Sequence, residues 1–589
     1  MSKKIQLSEN ALKVAEARYF IDENEDWEGC AQRVSRCLSE VEKDRKIWED
    51  KFYGIISSMD FLPAGRILRN SGRRKGSLLN CYHLPCLDSI EDIGQFIMDS
   101  LILWSEGGGI GVNMSSLRPR GDEILGKGGK SSGMVSFLIS ADQVSRTIES
   151  GGQRRAAGLC SLDINHPEIE DFIDAKVEHN KISHFNISVM INDRFLEAVE
   201  KNEDWELKFK QKVYKKVKAR YLWDKIINNM ILHAEPGLLN TTNLFKNNSW
   251  YFDPVTGVNP CGEAVLSPYS ACDLGSLVLP NFITGSTNTN WQKLEKTIKI
   301  AVRLLDNVLD VNKYSIRKID EKCHLSRRIG LGITGLADYL FMKQLRYGSK
   351  EALSEVEKLM KFIRDVSYEA SVELAVEKGS FPMFEPVNYC KSSFIRKLPA
   401  TLRLDIKEKG IRNVSLMSIA PGGTISLLPE VCSGIEPLIY KAYKRIDKVG
   451  ERIYIHPVYK ELLKNGNLIP EWYVDMSDLN PKDHFEIQAL VQKYTDGACS
   501  KTLNMPKGTT PDQLSRLLLE YSHDLKGIAV FVDGSIEGQI YNNINEDEAR
   551  KYLEDDNVSN SYTEDDIKCS VCERKDDGIY ICENAIGMN

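Results

Sequence analysis

Several features that would direct the reading elsewhere are missing from this chain. No run of eighteen or more apolar residues occurs, and the opening stretch MSKKIQLSENALKVAEARYF has no apolar centre, so neither a membrane span nor a secretory leader is expected. A basic excess is missing as well. The 77 Lys and Arg stand against 84 Asp and Glu, a net charge of -7, which excludes the broad cationic face that sequence-independent nucleic-acid binding needs. The 14 cysteines are too dilute over 589 residues for a disulfide scaffold, and most, such as Cys37, Cys160 and Cys323, read as buried reduced thiols. What is present is an ordinary globular balance, 42% hydrophobic and 27% charged, and the reading is a cytoplasmic protein without a membrane or nucleic-acid partner.

Along the chain the texture changes several times. Residues 1–60 read as a helical segment, with a serine placed to cap SENALKVAEARYF and with Leu12, Val14 and Ala15 near helical spacing. From Phe61 to about Asp174, short apolar runs alternate with SEGGGIGVNMSS, GKGGKSSG and ESGGQRRAAG. Such loops either serve tight turns or cradle anions, and two of them carry cations, Lys127, Lys130, Arg154 and Arg155. GGGIG lacks the spacing of the dinucleotide fingerprint, so no nicotinamide site is expected from it. The stretch 178–248 reads as polar and helical, and helices dominate from Trp291 to Glu377. SIAPGGTISLLPEVCSGIEP and LKGIAVFVDGS then return to strands. This alternation favours an α/β barrel-like architecture over 61–540, followed over 541–589 by a flexible acidic linker and a cysteine-bearing tail.

Two groups of cysteines carry chemistry. The tail CSVCERKDDGIYIC places Cys569 and Cys572 at C-x-x-C spacing, with Cys582 beyond; the pair suits either a zinc ion or a dithiol, and a fourth zinc ligand is lacking. A dithiol on an acidic tether reads as an electron shuttle. It would need a partner disulfide inside the protein, for which Cys81, Cys86, Cys261 and Cys272 are the candidates. In NPCGEAVLSPYSAC, Cys261 stands between Asn259 and Glu263. A carboxylate neighbour raises a thiol's pKa, which is wrong for a thiolate nucleophile and acceptable for a thiol that gives up a hydrogen atom. No metal-ligand set is read from the sequence.

NPCGE and CDLGS, taken with LLNCYHLPCLDSIEDI, SGGQRRAAG, HFNISV, RRIGLGITGLADYL and APGGTISLL, closely resemble the catalytic chain of ribonucleotide reductases. The resemblance runs in order from about Leu7 to Ser535 and resumes at the tail. Within the family it is nearest to the adenosylcobalamin-dependent branch (class II), which has a short interval between the two cysteines, SKTLNMP-like and LKGIAVFVDGS-like segments and a cysteine-containing tail. The adjacent tyrosine pair of class I chains occurs nowhere in this sequence, and ENAIGMN lacks the setting of a radical glycine.

The resemblance implies a ten-stranded α/β barrel of the ribonucleotide reductase and glycyl-radical enzyme type, with a central finger loop, behind an N-terminal helical segment that leaves no room for an ATP-sensing domain. Cys261 at the fingertip would become the thiyl radical that takes the 3′-hydrogen of a ribonucleotide. Glu263 would act as general base, Asn259 would bind the sugar, and Cys81 with Cys272 would supply the reducing electrons. Substrate phosphates would lie against Gly422, Gly423, Thr424 and Ser426, with Asn80 also touching substrate. A dNTP or ATP specificity effector would meet Asp88, Ser89, Ile90 and Lys130, with Gln153, Arg154 and Arg155 as the relay. Adenosylcobalamin is the implied cofactor, although no D-x-H-x-x-G cobalt-ligand motif occurs, and thioredoxin or a similar reductant and a second copy of the chain are the implied partners. Diphosphate and triphosphate substrates both stay open. So do two other readings, a class I-like α subunit served by a separate radical-generating protein and a non-catalytic nucleotide- or zinc-binding scaffold.

Overall fold

The computed structural model describes residues 5–124, 128–150, 154–177, 182–447, 450–535 and 541–555. It opens with three helices, Glu9–Arg18, Trp27–Leu38 and Arg45–Ser57. Ser8 caps the first by accepting from the Ala11 amide, as expected, but the buried face is Ala11, Val14 and Ala15 while Leu12 points outward. Asp26 caps the second, which buries Trp27, Cys30, Ala31, Val34 and Leu38 along one stripe.

Of the seven sheets among the described residues, two form the centre of the fold. The larger has eight strands in the order Ser270–Cys272, Cys81–Pro85, Gly109–Asn113, Gly158–Asp163, Phe185–Ile191, Gly237–Asn240, Gly527–Val532, Thr502–Met505. The five from Cys81–Pro85 to Gly237–Asn240 are mutually parallel. Gly527–Val532 joins antiparallel and Thr502–Met505 lies parallel to it. The smaller sheet holds Phe61–Pro63, Leu274–Val278 and Gly330–Thr334. These strands are buried on both faces, as parallel sheets covered by helices are. The helices include Trp291–Val311 and the 29-residue Lys350–Lys378. Isolated parallel bridges, Leu331↔Met417 and Ile419↔Cys499, lie between the two sheets. The α/β class is as expected. A closed ten-stranded barrel is not formed by the described ladders, and these two sheets stay separate.

Two stretches differ from the sequence reading. The supposedly helical 178–248 contains Phe185–Ile191 and a hairpin, Asp204–Phe209 with Lys212–Lys218, besides the expected helix Ala219–His233. Period-two burial of Trp205 and Leu207 overrides the polar composition there. Beyond 541, where the linker was expected to begin, Tyr541–Asn543 pairs with Ala442–Asp447, and helix Glu546–Asp555 buries Ala549.

The glycines of GLGITG, residues 330–335, have a packing reason. A β-carbon on Gly332 would sit 2.6 Å from the Ser418 carbonyl oxygen, and Gly335 holds a φ of +75° before the helix Leu336–Met342. No helix among the described residues is long and apolar enough to cross a membrane.

Candidate functional site

A short antiparallel hairpin, Gly257–Val258 with Val265–Leu266, carries the loop 259–264. Its base is tied to the parallel strands: Asn113 Nδ2 donates to the Thr256 carbonyl at 2.9 Å, and His83 Nε2 lies 2.9 Å from Thr256 Oγ1. Burial pushes His83 down to about 4, so the ring is neutral. Gly111 lets the hairpin pass, since a β-carbon there would lie 1.8 Å from the Val258 carbonyl oxygen. The glycine-rich GGGIG run is therefore the strand beside the hairpin rather than an anion loop.

The tip is folded by Asn259. Its amide oxygen accepts from the Ala264 N–H at 3.0 Å, its backbone carbonyl accepts from Gly262 N–H at 3.0 Å, and Gly262 takes a φ of +81°. Its Nδ2 donates to Glu263 Oε1 at 2.8 Å. Glu263 is buried, and its Oε2 has no hydrogen-bond partner among the described residues. Burial raises this carboxyl to about 7, against the opposing pull of a backbone N–H and of Asn259. The Glu263 carbonyl accepts from Ala498 N–H at 2.8 Å, which docks the tip on the segment 496–499. That segment is braced by Asp496, which accepts from the Leu416 and Met417 amides, and by buried Lys526, which donates to the Asp496 and Gly497 carbonyls.

Cys261 lies between the buried Asn259 and Glu263 and is itself half-buried. Cys81 and Cys272 stand directly opposite each other on antiparallel strands. Such partners have Cα atoms about 4.5–5.5 Å apart, within the span a disulfide bridges. Burial, and then the neighbouring Cys81, Glu263 and Cys261, hold the Cys272 thiol well above its ordinary value. Gly109 leaves the passage between hairpin and thiols, because a β-carbon there would sit 2.9 Å from Pro260 Cγ and 3.3 Å from Cys81 Sγ. Ala264, Leu266, Leu274, Ala64 and Ala420 wall the two thiols. Cys86, also a candidate, is buried in the main core instead.

Beside Cys81, the side-chain oxygen of Asn80 is buried and has no hydrogen-bond partner among the described residues. Ala420 leads from the thiol pocket into 421–426, so Gly422, Gly423, Thr424 and Ser426 leave from that pocket's wall. Ser426 N–H donates to the Gly422 carbonyl at 2.8 Å and opens a single 3₁₀ turn, Ile425–Leu427.

The residues expected to meet an effector form a separate group. Asp88 accepts from Arg118 Nε through both carboxylate oxygens, at 3.0 and 3.1 Å, and from its backbone N–H. Ser89 caps the helix Ile90–Ser105, and Ile90 is exposed. Arg118 also donates to the Glu123 carbonyl, and Glu123 bridges to Lys130, which joins that loop to Asp88. Arg118 was missed in the sequence because nothing local marks it. His83 could have been found, two positions after Cys81 on the same strand face. Arg154–Arg155 is a short strand paired with Glu149–Ser150. Gln153, Lys127, Cys569, Cys572 and Cys582 lie outside the described residues.

A family model described as ribonucleotide reductase, barrel domain, matches residues 79–531, and one described as ribonucleotide reductase, all-alpha domain, matches residues 5–76. A vitamin B12-dependent ribonucleoside-diphosphate reductase of Thermoplasma acidophilum is 34% identical over 525 residues, covering 83% of this chain and 66% of that relative. Its namesake in Mycobacterium tuberculosis is 32% identical over 580 residues, covering 91% of this chain and 81% of the relative. A ribonucleoside-diphosphate reductase subunit alpha of Chlamydia trachomatis is 27% identical, covering 81% of this chain and 51% of that protein. With both family models matched in order and a cysteine on a buried Asn–Glu hairpin facing a cross-strand thiol pair, the chain belongs to the ribonucleotide reductase family.

Proposed function

We propose that this chain reduces ribonucleotides to 2′-deoxyribonucleotides in an adenosylcobalamin-dependent reaction. The single observation that carries the reading is the hairpin that sets Cys261 between buried Asn259 and Glu263 beside the paired thiols Cys81 and Cys272. When bound, adenosylcobalamin supplies the one-electron oxidation that makes Cys261 a thiyl. Cys261 fits that demand as the one partly exposed residue of an otherwise buried set.

The Cys261 sulfur takes the hydrogen atom from C3′ of the substrate, which re-forms the S–H bond and leaves the unpaired electron on the sugar. Glu263 Oε2, which has no partner among the described residues, takes the 3′-hydroxyl proton. Asn259 Nδ2 holds the other oxygen in place. The 2′-hydroxyl leaves as water with one thiol proton and the other thiol hydrogen goes to C2′, so that Cys81 and Cys272 give two electrons and close a disulfide; Glu263 then returns its proton to the 3′-oxygen, and Cys261 returns the hydrogen atom to C3′. Overall, one ribonucleotide and two thiols become one deoxyribonucleotide, one disulfide and water.

Asn80 and the segment Gly422, Gly423, Thr424, Ser426 are assigned to the substrate, supported by the Asn80 oxygen that no described residue pairs and by the shared wall at Ala420. The Asp88–Arg118 region is assigned to the specificity effector, with Gln153, Arg154 and Arg155 as relay, and a second copy of the chain as partner. The closed ten-stranded barrel belongs to the same proposal and is supported by the parallel bridges at Met417 and Ile419. A cytoplasmic setting suits a chemistry that needs reduced thiols.

The test is an anaerobic assay of the purified chain with a dithiol. Product formed on addition of adenosylcobalamin alone, and none from Cys261→Ser, is the expected result. A requirement for a second protein with no response to adenosylcobalamin would transfer the chain to the class I-like reading.

A further inference from the structure

Away from the cysteines of the motif, three side chains from distant parts of the chain converge. Asp338 lies in the helix Leu336–Met342, Cys432 follows the 3₁₀ turn at Ile425–Leu427, and His456 immediately precedes the helix Pro457–Asn465. Their candidate ligand atoms, a carboxylate oxygen, Sγ and an imidazole nitrogen, all lie within 4.8 Å of one another. His456 Nε2 is 2.9 Å from Asp338 Oδ1, and the Cys432 backbone N–H donates to Asp338 Oδ2 at 2.8 Å. On its far side, His456 Nδ1 is 2.9 Å from the Tyr473 hydroxyl. Asp338 is buried, and Cys432 and His456 are half-buried.

We propose that Asp338, Cys432 and His456 form a binding site for a divalent transition-metal ion, zinc in the first instance. The donor set decides the class: one sulfur, one nitrogen and one oxygen suit zinc and its neighbours, whereas magnesium and calcium take oxygen alone. Around a tetrahedral ion with bonds of about 2.0–2.3 Å, donor atoms lie roughly 3.5 Å apart, so the three side chains need close by little more than about 1 Å. Three protein ligands leave the fourth position to water. Tyr473 is the outer partner that fixes the imidazole with Nε2 toward the ion. A thiol binds the ion as thiolate, so loading Cys432 releases a proton.

Ligation would join three segments. The Cys432 carbonyl accepts from Thr334 Oγ1 at 3.0 Å and from Gly335 N–H at 2.8 Å, so an ion on Cys432 would pin the end of the strand Gly330–Thr334 to the start of the helix at Pro457. The site was invisible in the sequence because Cys432 and His456 are 94 and 118 positions from Asp338.

The experiment uses the full chain, free of cobalamin, with Cys569, Cys572 and Cys582 replaced by serine so that the tail contributes no metal. Zinc is titrated against a chromophoric chelator, and cobalt(II) is added to a second sample for its absorption spectrum. One equivalent of zinc and a thiolate-to-cobalt charge-transfer band are expected. Cys432→Ser should remove that band and, like His456→Gln, weaken zinc at least about a hundredfold, and Tyr473→Phe should weaken it by roughly tenfold. Far-ultraviolet dichroism checks that each variant is folded, and the titration of the unsubstituted site does not depend on them. No stoichiometric zinc uptake, or uptake unchanged by both Cys432→Ser and His456→Gln, would overturn the assignment and leave a hydrogen-bonded cluster only.

Discussion

At the scale of single residues, Glu263 carries the sharpest consequence. Its carboxyl is raised to about 7 from 4.5, with burial the leading cause. A general base must be ionised, so turnover limited by chemistry should rise with pH through about 7. Stability runs the other way. Between about pH 4.5 and 7 the unfolded chain has given up a proton that the folded chain keeps, so folding weakens as pH rises across that window. Glu263→Gln should lose roughly 10²–10⁴-fold in turnover. In denaturant melts it should gain on the parent protein by about 3 kcal/mol between about pH 5 and pH 8. A flat pH-rate profile across that window would remove Glu263 from the role of base. The residues of this trio were legible because Asn259, Cys261 and Glu263 are adjacent in sequence, so the motif and the site coincide. The unpaired Oε2 and the raised carboxyl were not, because burial is a property of the surroundings.

At the scale of elements, the hairpin is positioned by what passes beside it. A β-carbon at Gly111 would meet the Val258 carbonyl at 1.8 Å and the Asn259 Cα at 3.2 Å, both backbone atoms that cannot step aside as a side chain can. Gly111→Ala should therefore displace the fingertip and cut turnover by about a hundredfold, the scale of loss from an ångström of misplacement, while circular dichroism stays near that of the parent. Gly54→Ala is the contrast: with nothing within 4 Å and a place in the helix Arg45–Ser57, it should keep full activity and add about 0.5–1 kcal/mol of stability. Equal activity in the two variants would mean that the hairpin is not held by the Gly109–Asn113 strand. The sequence showed the glycines but not their purpose, since GGGIG as a turn, an anion loop or a strand under a hairpin differ only in what lies opposite. The hairpin at 204–218 was hidden for a related reason: its lysine-rich outer face made a polar run whose inward alternation is visible only at Trp205 and Leu207.

At the scale of the whole molecule, the α/β class and the N-terminal helices follow from alternating composition, which is spread over hundreds of residues and so survives local ambiguity. Sheet closure is not of that kind. Between the two sheets the described residues show only single bridges at Met417 and Ile419, and the stretch from Ser418 that reads as strand forms no strand of its own. The tail has its own expectation. If Cys569 and Cys572 carry electrons to the thiol pocket, replacing both with serine should spare one turnover of prereduced protein and slow thioredoxin-supported multiple turnover by at least about tenfold, because exchange requires direct sulfur contact. Unchanged thioredoxin-supported turnover would send the electrons by another route.

The central claim is that one turnover converts the facing thiols Cys81 and Cys272 into a disulfide while Cys261 ends as it began. Prereduced protein, mixed anaerobically with adenosylcobalamin and ribonucleotide without external reductant, should be quenched, alkylated and digested for peptide mapping. The account predicts a Cys81–Cys272 linked peptide pair appearing in step with deoxyribonucleotide and absent from Cys261→Ser; product formed with both thiols still open to alkylation would contradict it.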